Sequence, residues 1–177
     1  MKSSEPSAGL IVVRVATVGQ LFNTMDPSPF HERDLDHDAE EFIVSSAREC
    51  DADATLRLRV ELTEEPPADA AETLRKSLSN YFRYREETSR RELHELLREG
   101  RFSLLAALAF LACVLTLRSF LPQGTGWAEL VREGLLIGGW VALWKPLDIH
   151  LYRWWPVRRQ MRLYRRLSAC PVEVARS

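Results

Sequence analysis

The chain has 177 residues, 46% of them hydrophobic and 28% charged, with a formal net charge of −1 and three cysteines. These averages exclude a collagen-like or disordered chain, a disulfide-built miniprotein and a uniformly basic nucleic-acid binder. They leave a membrane protein open, because residues 1–80 carry a net −8, residues 81–101 +1, residues 102–144 zero and residues 145–177 +6, so an acidic head and a basic tail flank a neutral middle.

Residues 1–20 lack a basic segment followed by a helical apolar core, so no cleavable signal peptide is expected. Leu10 to Val18 (LIVVRVATV) is β-branched and nearly continuous, as in a strand covered on both faces. Asp26-Pro-Ser-Pro29 then has turn chemistry. It leads into the densest set of metal-capable side chains, His31, Glu32, Asp34, Asp36, His37 and Asp38. Their spacing matches neither an H-E-x-x-H helix nor an EF-hand loop, so no metal is expected, and the favoured reading is a solvated turn whose acids cap the next helix.

That helix is expected over Asp38 to Cys50, with Asp36 or Asp38 as N-cap and Glu40 and Glu41 in its first turn. Its expected buried stripe is Phe42, Ile43, Ser46, Ala47 and Cys50. Thr55 to Leu62 (TLRLRVEL) alternates, with Leu56, Leu58, Val60 and Leu62 on one face, which predicts a half-buried strand. The strand–helix–strand order predicts a parallel pair with a right-handed crossover. Two strands make no stable sheet, so a third is expected from residues 171–175 or from another copy of the chain.

From about Ala68 the sequence is helical in pattern as far as Pro122, with Gly100 its one weak point. Leu74, Leu78 and Tyr81 have heptad spacing but meet Arg85, so a stalk packed by several elements is expected rather than a long coiled coil. Phe102 to Leu117 holds no charge, and counting to Leu121 gives about 30 Å of helix, the thickness of a bilayer's hydrocarbon. Arg118 can snorkel to the headgroups. The competing reading is a buried core helix.

After Pro122-Gln-Gly-Thr-Gly126 a second apolar stretch has its uncharged core at Gly134 to Trp144 and reaches span length over residues 130–151. Trp127 stands near one end and Trp144, Tyr152, Trp154 and Trp155 near the other, as in aromatic belts. A re-entrant or interfacial segment is the rival. Gly134, Gly138 and Gly139 form a small-residue face suited to helix packing, matched by Ala106, Ala109 and Cys113 on the first span. Lys145, Asp148 and His150 lie around Pro146, where the second span leaves the bilayer and where the proline should end or kink the helix. Lys145 and Asp148 are spaced to pair with each other.

Arginines crowd the flank before the first span and the tail after the second, while the connecting loop is poor in them, so both termini are expected in the cytoplasm. In the tail, Arg158, Arg159, Arg162, Arg165 and Arg166 interleave with aromatics. Their place beside a span favours anionic lipid headgroups over nucleic acid. No P-loop, dinucleotide fingerprint, nucleophile elbow or C-x-x-C pair is present, and neither a catalytic residue nor a cofactor is expected.

The expected fold is therefore an α+β membrane protein. It has a cytoplasmic βαβ head (1–66), a helical stalk (67–101), transmembrane helices at 102–121 and 130–151 joined by an extracytoplasmic loop (122–129), and a basic cytoplasmic tail (152–177) with a strand at 171–175. Met25-Asp-Pro-Ser-Pro-Phe-His-Glu-Arg-Asp-Leu-Asp36, Asp38-Ala-Glu-Glu-Phe-Ile-Val44 and Gly138-Gly-Trp-Val-Ala-Leu-Trp-Lys-Pro-Leu-Asp148, with Leu151-Tyr-Arg-Trp-Trp-Pro156 and Leu163-Tyr-Arg-Arg-Leu167, resemble a family of small two-span bacterial inner-membrane proteins of unknown function. The resemblance implies a bacterial inner membrane and supplies no activity. The expected function is that of a non-enzymatic, homo-oligomeric membrane protein whose cytoplasmic head is a scaffold or recruits a cytoplasmic protein partner. A small channel or transporter component using Lys145, Asp148 and His150 is the alternative, and a membrane-tethered metal-dependent activity the third.

Overall fold

The computed structural model describes residues 9–23, 34–51, 54–64, 70–120 and 126–176. Its architecture is mixed α+β, mostly helical, with one small parallel sheet and one long apolar helix. In chain order the elements are β1 (Gly9–Val15), α1 (His37–Glu49), β2 (Leu56–Leu62), α2 (Ala70–Phe120), α3 (Gly126–Asp148), α4 (Trp154–Ser168) and β3 (Val172–Arg176). A 3-10 turn, Val18–Leu21, follows β1, and a π-helical turn, Ile149–Arg153, joins α3 to α4. The chain divides into two compact units, Met1–Thr88 with Gln160–Ser177, and Ser89–Arg159.

In the first unit the sheet order is β1-β2-β3, all parallel, with Gly9 opposite Leu56 and Leu58 opposite Val172. The third strand is thus supplied by the tail, one of the two expected sources. The alternation in β2 sends Leu56, Leu58, Val60 and Leu62 inward, where they meet Ile11 and Val13 of β1, Ile43 and Ala47 of α1, Leu74, Leu78 and Phe82 of α2, and Leu163 and Leu167 of α4. The other face is open. There the pairs set by the register are charged, Arg14 Nε to Glu61 Oε2 at 2.7 Å and Arg59 Nη2 to Glu173 Oε2 at 3.1 Å.

Two expectations are corrected here. β1 is not covered on both faces: it is an edge strand, Leu10 is 46% exposed, and its unbroken apolar sequence conceals that half of it faces outward. On α1, Asp36 is the N-cap, its Oδ1 accepting from the Asp38 amide at 3.1 Å. The buried residues, however, are Ile43, Val44 and Ala47, and Phe42 is exposed. The stripe is rotated by about one position because Glu40, one helical turn before Val44, also turns inward, toward Tyr81 and Arg85.

Two further contacts fasten α4 within this unit. Arg166 Nη2 donates to the carbonyls of Asp51 and Ala54 at 2.9 and 2.7 Å, and Ser79 Oγ of α2 donates to Ser168 O at 2.8 Å. Cys170 is buried beside the start of β3, and burial pushes its thiol up to about 11.

Candidate membrane-binding surface

Among the described residues one helix, Ala71–Phe120, is long and apolar enough to cross a membrane. Only 17% of its most apolar stretch is buried, which separates it from the core helix of a soluble protein. Phe102, Leu105, Leu115 and Phe120 point outward. Leaving this much contiguous apolar surface in water forgoes about 25 cal/mol of stabilisation for each Å² that a bilayer would cover. The charged first half of α2 needs no such shelter. It carries Glu72 and Lys76 as an i,i+4 pair at 2.6 Å, and it buries its own Leu74, Leu78 and Phe82.

Within the second unit α3 runs back along α2. Gly139 approaches Leu111 so closely that an added Cβ would lie 2.8 Å from Leu111 Cδ1. Gly100 is equally close to Ile149 and His150, and Lys145 Nζ is 2.9 Å from Glu99 Oε1. Residue numbers fall on one helix as they rise on the other, so the pair is antiparallel. Gly100, the weak point of the helical pattern, is a contact point. Of the three small residues expected to pack, only Gly139 meets its neighbour helix, whereas a Cβ added at Gly134 or Gly138 would meet nothing within 4 Å among the described residues. The outward face of α3 carries Trp127, Leu130 and Ile137, together with Trp140 and Trp144, which are 75% and 76% exposed.

Pro146 neither ends α3 nor stands at a break. The helical run continues from Gly126 through the π turn into α4 as far as Ser168. A proline interrupts the i→i−4 ladder by lacking an N–H, and the wider turn that follows resets the pattern. His150 Nδ1 is 2.8 Å from Pro146 O and Trp154 Nε1 donates to His150 O at 2.7 Å, so side chains take up part of the backbone bonding in this turn. Lys145 pairs with Glu99 instead of Asp148. With Lys145 held by Glu99 and His150 turned to Pro146 O, the expected trio of Lys145, Asp148 and His150 is not drawn together into a relay.

The tail arginines divide in the same way. Arg158 lies over the Trp154 ring at 5.7 Å and Arg159 over Trp155 at 5.9 Å, and Arg162 is exposed, with Arg165 alongside. Arg158 and Arg159 thus offer cations beside indoles, the combination suited to a headgroup region, and Arg162 and Arg165 add exposed cations. Arg166 is instead held by the carbonyls of Asp51 and Ala54.

The candidate metal ligands are described only in part. His31 and Glu32 lie outside the described residues, Asp36 is spent on capping α1, and among the described residues no three His, Cys, Asp or Glu side chains converge to hold a metal.

A polar centre in the first unit lies outside every expectation from the sequence. The Glu40 side chain of α1, 13% exposed, accepts from Tyr81 Oη at 2.7 Å and from Arg85 Nε at 2.9 Å. Arg85 also donates to Tyr164 Oη at 3.2 Å, its guanidinium 5.4 Å from that ring, and Tyr164 stacks on Phe82. Burial, reinforced by the Glu40 carboxylate, holds the Tyr81 hydroxyl well above the usual phenol range. Its signal in the sequence is Arg85 itself, standing where the Leu74, Leu78, Tyr81 stripe asks for an apolar residue. These groups are turned toward one another, so the centre locks α1, α2 and α4 together. Comparison of the chain with protein-family models, with curated proteins and with solved structures finds no match.

Proposed function

We propose that this chain is a small oligomeric protein of a bacterial inner membrane. It is anchored by two spans, residues 102–121 and 130–151, and displays a non-enzymatic cytoplasmic head that serves as a scaffold or recruits a protein partner. The observation that carries the reading is the uncovered apolar surface of α2 and α3. Connectivity supports the number of crossings. β2 precedes the apolar helices and β3 follows them, yet the two pair in one sheet. A chain that enters the bilayer between them must leave on the same side, so its crossings are even in number. The resemblance to small two-span inner-membrane proteins points the same way, and the arginine-rich flanks favour the cytoplasmic side for that sheet.

The test is extraction and labelling of the full chain in bacterial membranes. The protein should stay in the pellet after alkaline carbonate treatment. Cys113, exposed on α2, should resist a water-soluble maleimide until the bilayer is dissolved in denaturing detergent. Release by carbonate, or rapid labelling of Cys113 in intact membranes, overturns the anchor. A strict monomer after mild solubilisation overturns the oligomer.

A further inference from the structure

We infer that β1 is a self-pairing edge, through which two copies of this chain join their three-stranded sheets into one of six strands. The inference rests on the oligomeric reading above and names its surface. β1 lies at the end of the sheet order, and the Gly9 amide bonds Thr55 O at 3.1 Å on the β2 side. Backbone groups alternate along a strand, so Gly9, Ile11, Val13 and Val15 address β2, and Leu10, Val12 and Arg14 address the outside. Among the described residues no strand pairs with that outer side. A seven-residue edge with one charge is a template for another strand unless it is protected, and this one has no proline, bulge or inward charge.

The geometry selects the same strand from a second copy as occupant. The three outward residues are symmetric about Val12. In a two-fold antiparallel pair Val12 faces its own counterpart and Leu10 faces the partner's Arg14, so every outward N–H and C=O finds a mate and no like charges stand opposite. Arg14 is already neutralised by Glu61. An open groove of about 530 Å³ runs along this edge, with Val12 to Val15 on one side and Asp36, the N-cap of α1, with Asp38 and Phe42 of α1 on the other. Among the described residues of the first unit only Leu10, Phe42 and Tyr84 are large, apolar and exposed, and two of these three belong to this edge. Pairing covers them. An isologous contact of this kind also closes on itself, giving a dimer where a head-to-tail contact would give a fibre.

The experiment uses the full chain in membranes. Opposed residues in a hydrogen-bonded antiparallel pair have Cα atoms ~5.5 Å apart, within disulfide reach. Under mild oxidation Val12→Cys should give a covalent dimer well above the wild-type background. Arg57→Cys, on the central strand, should not. Val12→Lys keeps a half-exposed side chain on the open face and sets two ammonium groups against each other. It should weaken the solubilised dimer at least tenfold while the chain remains in the carbonate-resistant pellet. Val12→Cys dimer no stronger than Arg57→Cys, or an unchanged particle mass for Val12→Lys, overturns the pairing and leaves the edge to a strand of another protein. Carbonate extraction reports on the anchor independently, since a chain released from the membrane can still cross-link at this position.

Discussion

Glu40 shows how one side chain can set the register of a helix. It is a carboxylate held at 13% exposure by two donors, and turning it inward moves the buried face of α1 from Phe42 to Val44. Replacing Glu40 by Ala leaves the Tyr81 hydroxyl and the Arg85 guanidinium without their acceptor. That should destabilise the first unit by about 1–3 kcal/mol, read as faster hydrogen exchange of the β2 amides in the solubilised full chain. Tyr81 gives the pH dependence. Its folded pKa is raised above the unfolded value near 10, so the hydroxyl's contribution is complete below pH ~10 and is lost as pH rises further. Alkaline loss of stability should begin there, and Tyr81→Phe should flatten it; an identical alkaline limb in the variant would remove Tyr81 as its cause. In the sequence only Arg85, out of place in its stripe, signals this centre; its partners are not legible, because Glu40 meets Arg85 and Tyr164 across 45 and 124 positions, and no local pattern reports such a meeting.

At the scale of elements, local periodicity is informative where one face decides the outcome. β2 alternates and buries every second residue as its pattern says, and the N-cap at Asp36 follows from side-chain chemistry within two residues. β1 reads as doubly covered because Val and Ile fit a pleated strand whether or not the outer face is sheltered. The G-x-x-x-G pattern in α3 identifies a small-residue face without identifying its neighbour. Gly139→Leu should overpack against Leu111 and loosen α2 from α3 by ~1–3 kcal/mol, measured by unfolding in detergent. Gly134→Leu, with open space around it, should leave that pairing unchanged. Equal effects at the two positions would mean that the antiparallel contact is not where Gly139 places it. Pro146 suggests a helix end because the sequence shows the missing donor and not the π turn that accommodates it.

At the scale of the whole molecule, the mild average composition is the sum of unlike parts, and segment-by-segment charge recovers what the mean conceals. Deleting residues 171–177 removes β3 and uncovers the long side of β2. The first unit should then become sensitive to brief proteolysis, while the apolar helices keep the truncated chain in the membrane pellet. Protection equal to the full chain would show that β1 and β2 suffice as a sheet.

The pairing of β2 with β3 spans 114 positions between Arg59 and Glu173, and everything between them includes both apolar helices. During synthesis the ribosome releases β2 early and β3 only after α2, α3 and α4 have emerged. The sheet therefore cannot close ahead of the apolar segments, and its completion acts as a timer: until the last strand arrives, β2 waits half-paired. A closed sheet thus certifies that the whole intervening chain has been made and that both of its flanks have come to rest in one compartment.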